Sequence, residues 1–352
     1  MAASGNLATT FATIGSFAYL YKFYKIRKNE ISYEIKKSIK YKKKSSFSII
    51  KNILYITIPM SLTSILITVS KNVDSITVVR GLKNFLGSDE AKIQYGILSG
   101  KVDTLVNLPL SFNMVFATVL VPAISASWVK KDLLDIKKKI SFSILTTILI
   151  GLPSTVVMTF FSKSIFNLLF PNASSGNVVL KIAAFSIIFT MLSQIVNGAL
   201  QGLGKIFIPA ISLSIGVIIK IILNILLIPI SNENFILGGI NGAAFATVIC
   251  HFIAFFISFF VLSKKIELEL ELNRILVKPV IATIIMVVAL YFSNVFLNGI
   301  ISEKMAIIVA MIIAIDIYFC LIIKFKIFNK EQICMLPYGK EILNFIEKNR
   351  NI

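Results

Sequence analysis

The stretch Ile26–Ser46, IRKNEISYEIKKSIKYKKKSS, carries Arg27, Lys28, Lys36, Lys37, Lys40, Lys42, Lys43 and Lys44 between two apolar runs, about Ser4–Lys25 and about Ile49–Val79. A helix crosses a bilayer in roughly 20 mostly apolar residues at about 1.5 Å of rise each. Both runs meet that length, so the basic stretch reads as a loop between two membrane spans. Cytoplasmic loops are marked by their Lys and Arg content and not by net charge, which places this loop inside. Working outward adds seven more spans, near Ile97–Ser125, Ile140–Phe161, Val178–Leu203, Phe207–Ile230, Ile240–Leu262, Val277–Asn298 and Met305–Phe325. Span two is expected to break near Pro59, and span three at Pro109 and Pro122, because proline removes a helical hydrogen bond.

Lys130, Lys131, Lys137, Lys138 and Lys139 mark a second inside loop, and Lys264, Lys265 and Arg274 a third. The alternating connectors are then outside: residues 80–96, with Arg80, Lys83 and Lys92 mixed with Asp89 and Glu90; SKSIFNLLFPNASSG at 162–176; and SNENFILGG at 231–239, without Lys or Arg. This parity puts the N-terminus outside and the C-terminus in the cytoplasm. YGKEILNFIEKNR, 338–350, reads as a short amphipathic helix on the membrane surface. The opening MAASGNLATT lacks the basic start of a secretory signal. A polytopic chain beginning outside without such a signal reads as the later portion of a longer transporter.

Composition agrees with an all-α polytopic membrane protein of the cell membrane: 352 residues, 56% hydrophobic, mean hydropathy +0.85 and only 15% charged, against about 25% charged in soluble domains. The net charge of +19 sits mainly in short loops where anionic headgroups and topology account for it, so membrane lipids and not nucleic acid are the expected partners. Cys250, Cys320 and Cys334 are far apart and odd in number, which supports neither a disulfide framework nor a zinc site. No metalloprotease, nucleophile-elbow, phosphate-loop or dinucleotide motif occurs, so no cofactor and no enzymatic activity are expected. Asn172-Ala173-Ser174 matches a glycosylation sequon, given no weight in a chain with a bacterial composition.

Ionisable groups inside spans are costly and mark function by default. In span two Ser61, Ser64, Thr68, Lys71 and Ser75 share a face, and Asp74, three residues after Lys71, is placed to pair with it. The alternatives are a self-neutralised interfacial pair or a cavity lining. In span three Gly100, Asp103, Asn107 and Ser111 share a face from which Lys101 points away, again cavity or interface. The uncharged stripe Ser186, Thr190, Gln194, Asn197 and Gln201 in span five fits helix–helix glue or a cavity wall. Lys220, near the middle of span six with Asn224 one turn on, reads as an unpaired lysine that binds an anionic group in a cavity. His251, four residues after Thr247, reads as packed or as a proton relay, and Asp316 as a buried acid or a polar partner to span eight.

YGILSGKVDTLVNLPLSFNMVFATVLVPAISAS (95–127) resembles the span-eight signature of stage V sporulation protein B and its polysaccharide-transporter relatives. These belong to the multidrug/oligosaccharidyl-lipid/polysaccharide (MOP) flippase superfamily, with the MurJ-type lipid II flippases. VDSITVVRGL (73–82), ALQGLGKIFIPAISLSIGVIIKIILNILLIPI (199–230) and GGINGAAFATVI (238–249) are similar to the seventh and the tenth to twelfth spans, and FNKEQICMLPYGKEI (328–342) to the C-terminal end. The resemblance implies a fourteen-span fold of two six-helix lobes and a final pair, of which this chain would be spans six to fourteen. Residues 1–48 would hold the last span of the first lobe and its basic loop, 49–262 the second lobe, 263–325 the terminal pair and 326–352 the cytoplasmic tail.

It further implies a flippase for undecaprenyl-linked glycan or a lipid II-like peptidoglycan precursor, in envelope or spore-cortex synthesis, with substrate between the lobes. Asp74, Arg80, Lys101 and Lys220 would be the second lobe's contribution. The rivals are a cation-coupled multidrug exporter and a non-transporting remnant or scaffold; a membrane-embedded glycosyltransferase is more distant. The orientation is tested with single cysteines in a background where Cys250, Cys320 and Cys334 are serine. Asn232→Cys is expected to react with an impermeant maleimide on intact cells and Lys36→Cys only after permeabilisation; the opposite pattern inverts the topology.

Overall fold

The computed structural model describes residues 2–37, 45–171, 175–232, 234–269 and 271–329, and in the first helix the side chains of 10, 13–34 and 37. The sequon, Cys334 and the tail helix at 338–350 lie outside the described residues, as do Lys40, Lys42, Lys43 and Lys44. The chain divides into two units, Met1–Leu54 and Tyr55–Ile352. The first holds α1 (Ala2–Lys37) and the start of α2 (Ser46–Leu82). Helix α1 runs past the expected span end at Lys25, with Arg27 and Glu30 3.8 Å apart one turn along it. It is not among the eight helices of the described residues that are long and apolar enough to cross a membrane. The cause is composition, since Gly, Ser, Thr, Asn and Tyr dilute its apolar content. Those eight correspond to the second to ninth expected spans.

From Tyr55 onward α2 is followed by α3 (Ser88–Gly96), a π turn (Ile97–Val102) and α4 (Asp103–Val129), continuous over 42 residues. Next come α5 (Leu133–Phe160), the short α6 (Ser162–Leu169), and α7 (Asn177–Ala183) leading into α8 (Phe185–Gly202). Helices α9 (Phe207–Leu227) and α10 (Gly239–Ile266) complete the bundle. A π turn (Asn273–Val277), α11 (Lys278–Asn298) and α12 (Glu303–Lys324) form the last pair.

Two expectations are corrected here. The connector 80–96 is mostly helical, because Ser88–Gly96 opens with Asp89 and Glu90, favourable in a first turn. Pro59, Pro109 and Pro122 interrupt neither α2 nor α4. A proline costs one donor and frees one carbonyl, which a long helix bridges through its other bonds. The irregularity of the third span lies upstream of its prolines, where the Asp103 amide donates five residues back to Leu98 O.

Packing explains the bundle's core. Lipid tails give helices little hydrophobic reason to associate, so close approach and polar contacts carry the interfaces. On α8, a Cβ at Gly198 or Gly202 would lie 2.9 Å from the carbonyl oxygen of Ala117 or Val121 on α4. On α9, a Cβ at Gly216 would lie 2.6 Å from Cys250 O on α10. Asn113 of α4 is fully buried and ties three helices: its Nδ2 donates to Met191 O at 2.9 Å and Gln194 Oε1 at 2.8 Å, and its Oδ1 accepts from Thr147 Oγ1 at 2.7 Å. At one end of the α4–α5 hairpin, Lys139 Nζ donates to Asp135 Oδ2 at 2.5 Å and Ser127 Oγ at 2.7 Å.

Helices α2 and α9 run parallel, with Tyr55 against Phe207 (ring centroids 5.4 Å apart) and Gly81 against Ile228. The alternation of spans requires this, since α2 and α9 are four crossings apart. The last pair closes on itself through Lys278 Nζ to Phe325 O at 2.9 Å. It docks on α5 through Tyr318 Oη, which donates to Leu149 O at 2.9 Å. Leu149 O is the carbonyl that Pro153 frees in α5, so the terminal pair satisfies a backbone group that α5 cannot. Tyr318→Phe is therefore expected to cost about 1–3 kcal/mol, read by thermal unfolding in detergent. In a Pro153→Ala background the cost is expected to shrink, since the new amide takes over the bond.

Candidate functional site

On α2 the residues Ser70, Asp74 and Thr77 follow one helical face toward α9, where Lys220 and Asn224 lie one turn apart. Lys220 Nζ sits 2.5 Å from Asp74 Oδ2 and donates to Ser70 Oγ at 3.1 Å. Asn224 Nδ2 donates to Asp74 Oδ1 and to Thr77 Oγ1, both at 3.0 Å. Lys220 is 3% exposed and Asn224 is 1% exposed. An ammonium so far from water is retained only with a partner and further hydrogen bonds. The expected unpaired Lys220 is thus paired, and the expected Lys71–Asp74 pair is replaced. Asp74 turns toward α9, while Lys71 stays exposed.

Beside this pair lies a cavity of about 120 Å³. Its α2 wall includes Ser70, Lys71 and Asp74, and its α4 wall includes Asp103 and Asn107. Ser186 and Thr190 close it from α8, Lys220 from α9, and Thr247 and His251 from α10. The Asp103 carboxylate accepts no hydrogen bond from the described residues, though it is within electrostatic reach of Asp74, Lys220 and Lys71. The cavity therefore gathers two carboxylates and two ammonium groups, balanced in formal charge, around room for a few waters. Such a set holds and exchanges charge.

Lys71, Asp74, Asp103, Asn107 and Lys220 are thus brought together, with Asn224 bound to the same carboxylate. Arg80 is exposed near the end of α2, outside the cavity. Lys101, in the π turn, places its ammonium 5.2 Å from the Phe170 ring centre, away from the cavity as its angular position predicts. Gln194 serves the Asn113 knot, and Asn197 and Gln201 continue along α8 away from the cavity wall; Asn197 Oδ1 is buried without a partner. Asp316 is exposed on α12 and is not a buried acid. Ser70, Thr77, Asn113, Thr147 and Tyr318 were not singled out by sequence. Ser70 and Thr77 flank Asp74 at helical spacing, a visible signal; the others act across contacts of 34 to 169 residues that no local pattern announces.

An all-α bundle of membrane-length helices with a charge-balanced pocket inside is the architecture of a polytopic membrane protein. The same fold occurs in a solved outward-facing multidrug resistance MATE family transporter of the MOP superfamily, at TM-score 0.50 and 17% identity, covering 84% of this chain and 70% of that one. Residues 6–311 match the family described as lipid II flippase MurJ, and the chain belongs to that family. It is 31% identical over 197 residues to the uncharacterized membrane protein YabM of Bacillus subtilis (strain 168), covering 56% of this chain and 35% of that one. It is 28% identical over 159 residues to lipid II flippase MurJ of the same organism, covering 44% and 28%. The matches thus span about a third of the length of these curated relatives.

Removing Lys220 should strand Asp74. Lys220→Met is expected to cost about 3–5 kcal/mol, the usual penalty for breaking a buried pair from one side. Adding Asp74→Asn should restore most of it, as read by thermal unfolding of both purified variants.

Proposed function

We propose that this chain serves the transbilayer movement of an undecaprenyl-linked glycan or lipid II-like peptidoglycan precursor, in envelope or spore-cortex synthesis at the cell membrane. Membership of the lipid II flippase family over residues 6–311 is the observation that carries the proposal. The narrower kinship with stage V sporulation protein B and the polysaccharide transporters rests on the stretches at 73–82, 95–127 and 199–230. The basic loops face the cytoplasm in this reading, and the parallel course of α2 and α9 is consistent with that alternation.

The site geometry refines which groups meet the substrate. Pockets for molecules of ligand size run to roughly 300–1,000 Å³, so a cavity of about 120 Å³ does not admit a lipid-linked sugar. Lys220 is already neutralised by Asp74. The pyrophosphate contact therefore passes to Lys71, which is exposed and also lines the cavity, with the exposed Arg80 further along α2. An exposed cationic side chain draws a phosphate without first surrendering an internal partner. The two lobes of the family plan rock about the substrate while the lipid tail stays in hydrocarbon.

The test is flipping of a fluorescent undecaprenyl-pyrophosphate glycan by the protein reconstituted in liposomes. Lys71→Ala is expected to slow flipping by roughly tenfold or more, the weight of one lost charge-assisted contact, with an unchanged melting temperature. Added salt should weaken substrate binding. Unaltered flipping by Lys71→Ala would remove the assignment of Lys71; export of a cationic drug without any lipid flipping would replace the flippase reading by a drug exporter.

A further inference from the structure

We propose that Lys220 has two carboxylate partners and exchanges between them, tying α9 to Asp74 of α2 in one state and to Asp103 of α4 in the other. This concerns the inside of the bundle and holds whatever substrate the protein carries.

Lys220 is the only charged residue among the buried described residues, and both carboxylates line the cavity into which it projects. An ammonium has three N–H donors. Two are engaged, by Asp74 Oδ2 and Ser70 Oγ, and the described residues supply no acceptor for the third. Asp103 has the complementary deficit, a carboxylate in the same cavity without a hydrogen-bond donor. Lys71 is the other cation within its electrostatic reach, but its side chain is exposed, whereas Lys220 is buried in the bundle. The cavity leaves space for a flexible four-carbon stem to swing.

The surroundings of the two acids differ in a way that suits an exchange. When the ammonium leaves Asp74, Asn224 Nδ2 still donates to that carboxylate at 3.0 Å. Asp103 follows directly on the π turn Ile97–Val102, and its own amide makes the five-residue bond to Leu98 O. Such turns recur at functional positions, since their register differs from that of the helix around them.

The helices that carry the two acids are also anchored differently. Helix α4 is fastened to α5 and α8 by Asn113. Helix α2 buries only Pro59, Val78 and Leu82, so the polar cluster at Asp74 supplies much of its hold between Pro59 and Val78. Moving the tie from Asp74 to Asp103 loosens α2 between Pro59 and Val78 and leaves the rest of the bundle fastened. Two acids and two ammonium groups remain in the cavity throughout, so the exchange takes up no external ion.

The chain carries its own reporter. Cys250 of α10 is buried in a small cluster with Leu213 and Val217, against which Leu66 of α2 packs. With Cys320 and Cys334 changed to serine, maleimide labelling of Cys250 reads the position of α2. Asp74→Asn is expected to speed labelling by roughly tenfold, as a local opening would, with a small fall in melting temperature because Asp103 takes over Lys220. Asp103→Asn should leave labelling unchanged. The double variant Asp74→Asn/Asp103→Asn should lose far more than the sum of the singles, since Lys220 then has no carboxylate. Adding Lys220→Met to that double variant should recover the melting temperature. Additive losses, unchanged labelling in Asp74→Asn, or no recovery in the triple variant would each overturn the exchange.

Discussion

A single lysine held out of water organises the interior of this bundle. Taking an ammonium into a bilayer interior costs several kcal/mol unless a counter-charge and hydrogen bonds go with it. Lys220 meets that demand by recruiting Asp74 and Ser70 from a helix 146 to 150 residues away in the chain. The consequence is positional. Helix α2 has few buried apolar residues of its own, yet its last third is tied to α9 by one carboxylate, while Asn224 holds the second oxygen of the same group. The wall of the cavity, the exposure of Lys71 and the relation of α2 to α4 all follow from where that carboxylate sits.

The rest of the bundle solves a different problem by related means. Apolar side chains distinguish poorly between lipid and a neighbouring helix, so specificity falls to backbone approach and hydrogen bonds. The glycines of α8 and α9 let carbonyl oxygens of facing helices come within about 3 Å of where a side chain would begin. Asn113 spends all of its counted bonds on two neighbouring helices. Tyr318 converts the defect at Pro153 into a docking point for the terminal pair. Asn113 and Tyr318 each pair a polar group that would otherwise be stranded.

The fold was largely legible because its cause is local. A run of about 20 apolar residues spans a membrane whatever its neighbours do, and eight of the nine runs recognised in this way are helices of that kind. The opening helix departs since its Thr, Ser and Tyr content weakens the signal that defined the others. The site was legible in its residue types and not in its pairing. Asp103, Asn107, Lys220 and Asp74 are conspicuous in apolar surroundings, but Lys71 at three residues from Asp74 offers a nearer partner than Lys220 does. The rotation of α2 about its axis decides between them, and that rotation is set by contacts at Tyr55–Phe207 and Gly81–Ile228 that no periodicity reveals. Asn113 looks like any polar interruption of α4 until α5 and α8 are beside it.

The balance of charge inside the bundle also bears on how the membrane potential acts. Moving one elementary charge across the field is worth about 2.3 kcal/mol per 100 mV. Asp74, Asp103, Lys71 and Lys220 line one cavity and compensate one another in formal charge, whichever carboxylate Lys220 holds. The interior of this bundle therefore presents little net charge for the potential to pull on. In the proposed flippase any voltage dependence comes from charge that is not compensated within the bundle, above all that of an anionic lipid-linked headgroup. A substrate that supplies the gating charge couples its own passage to the field, whereas a neutral lipid of the same shape feels none of that force. A bundle with little internal net charge is suited to such a division, with the exposed Lys71 meeting the anion in the proposed flippase and the buried Lys220 holding the wall behind it.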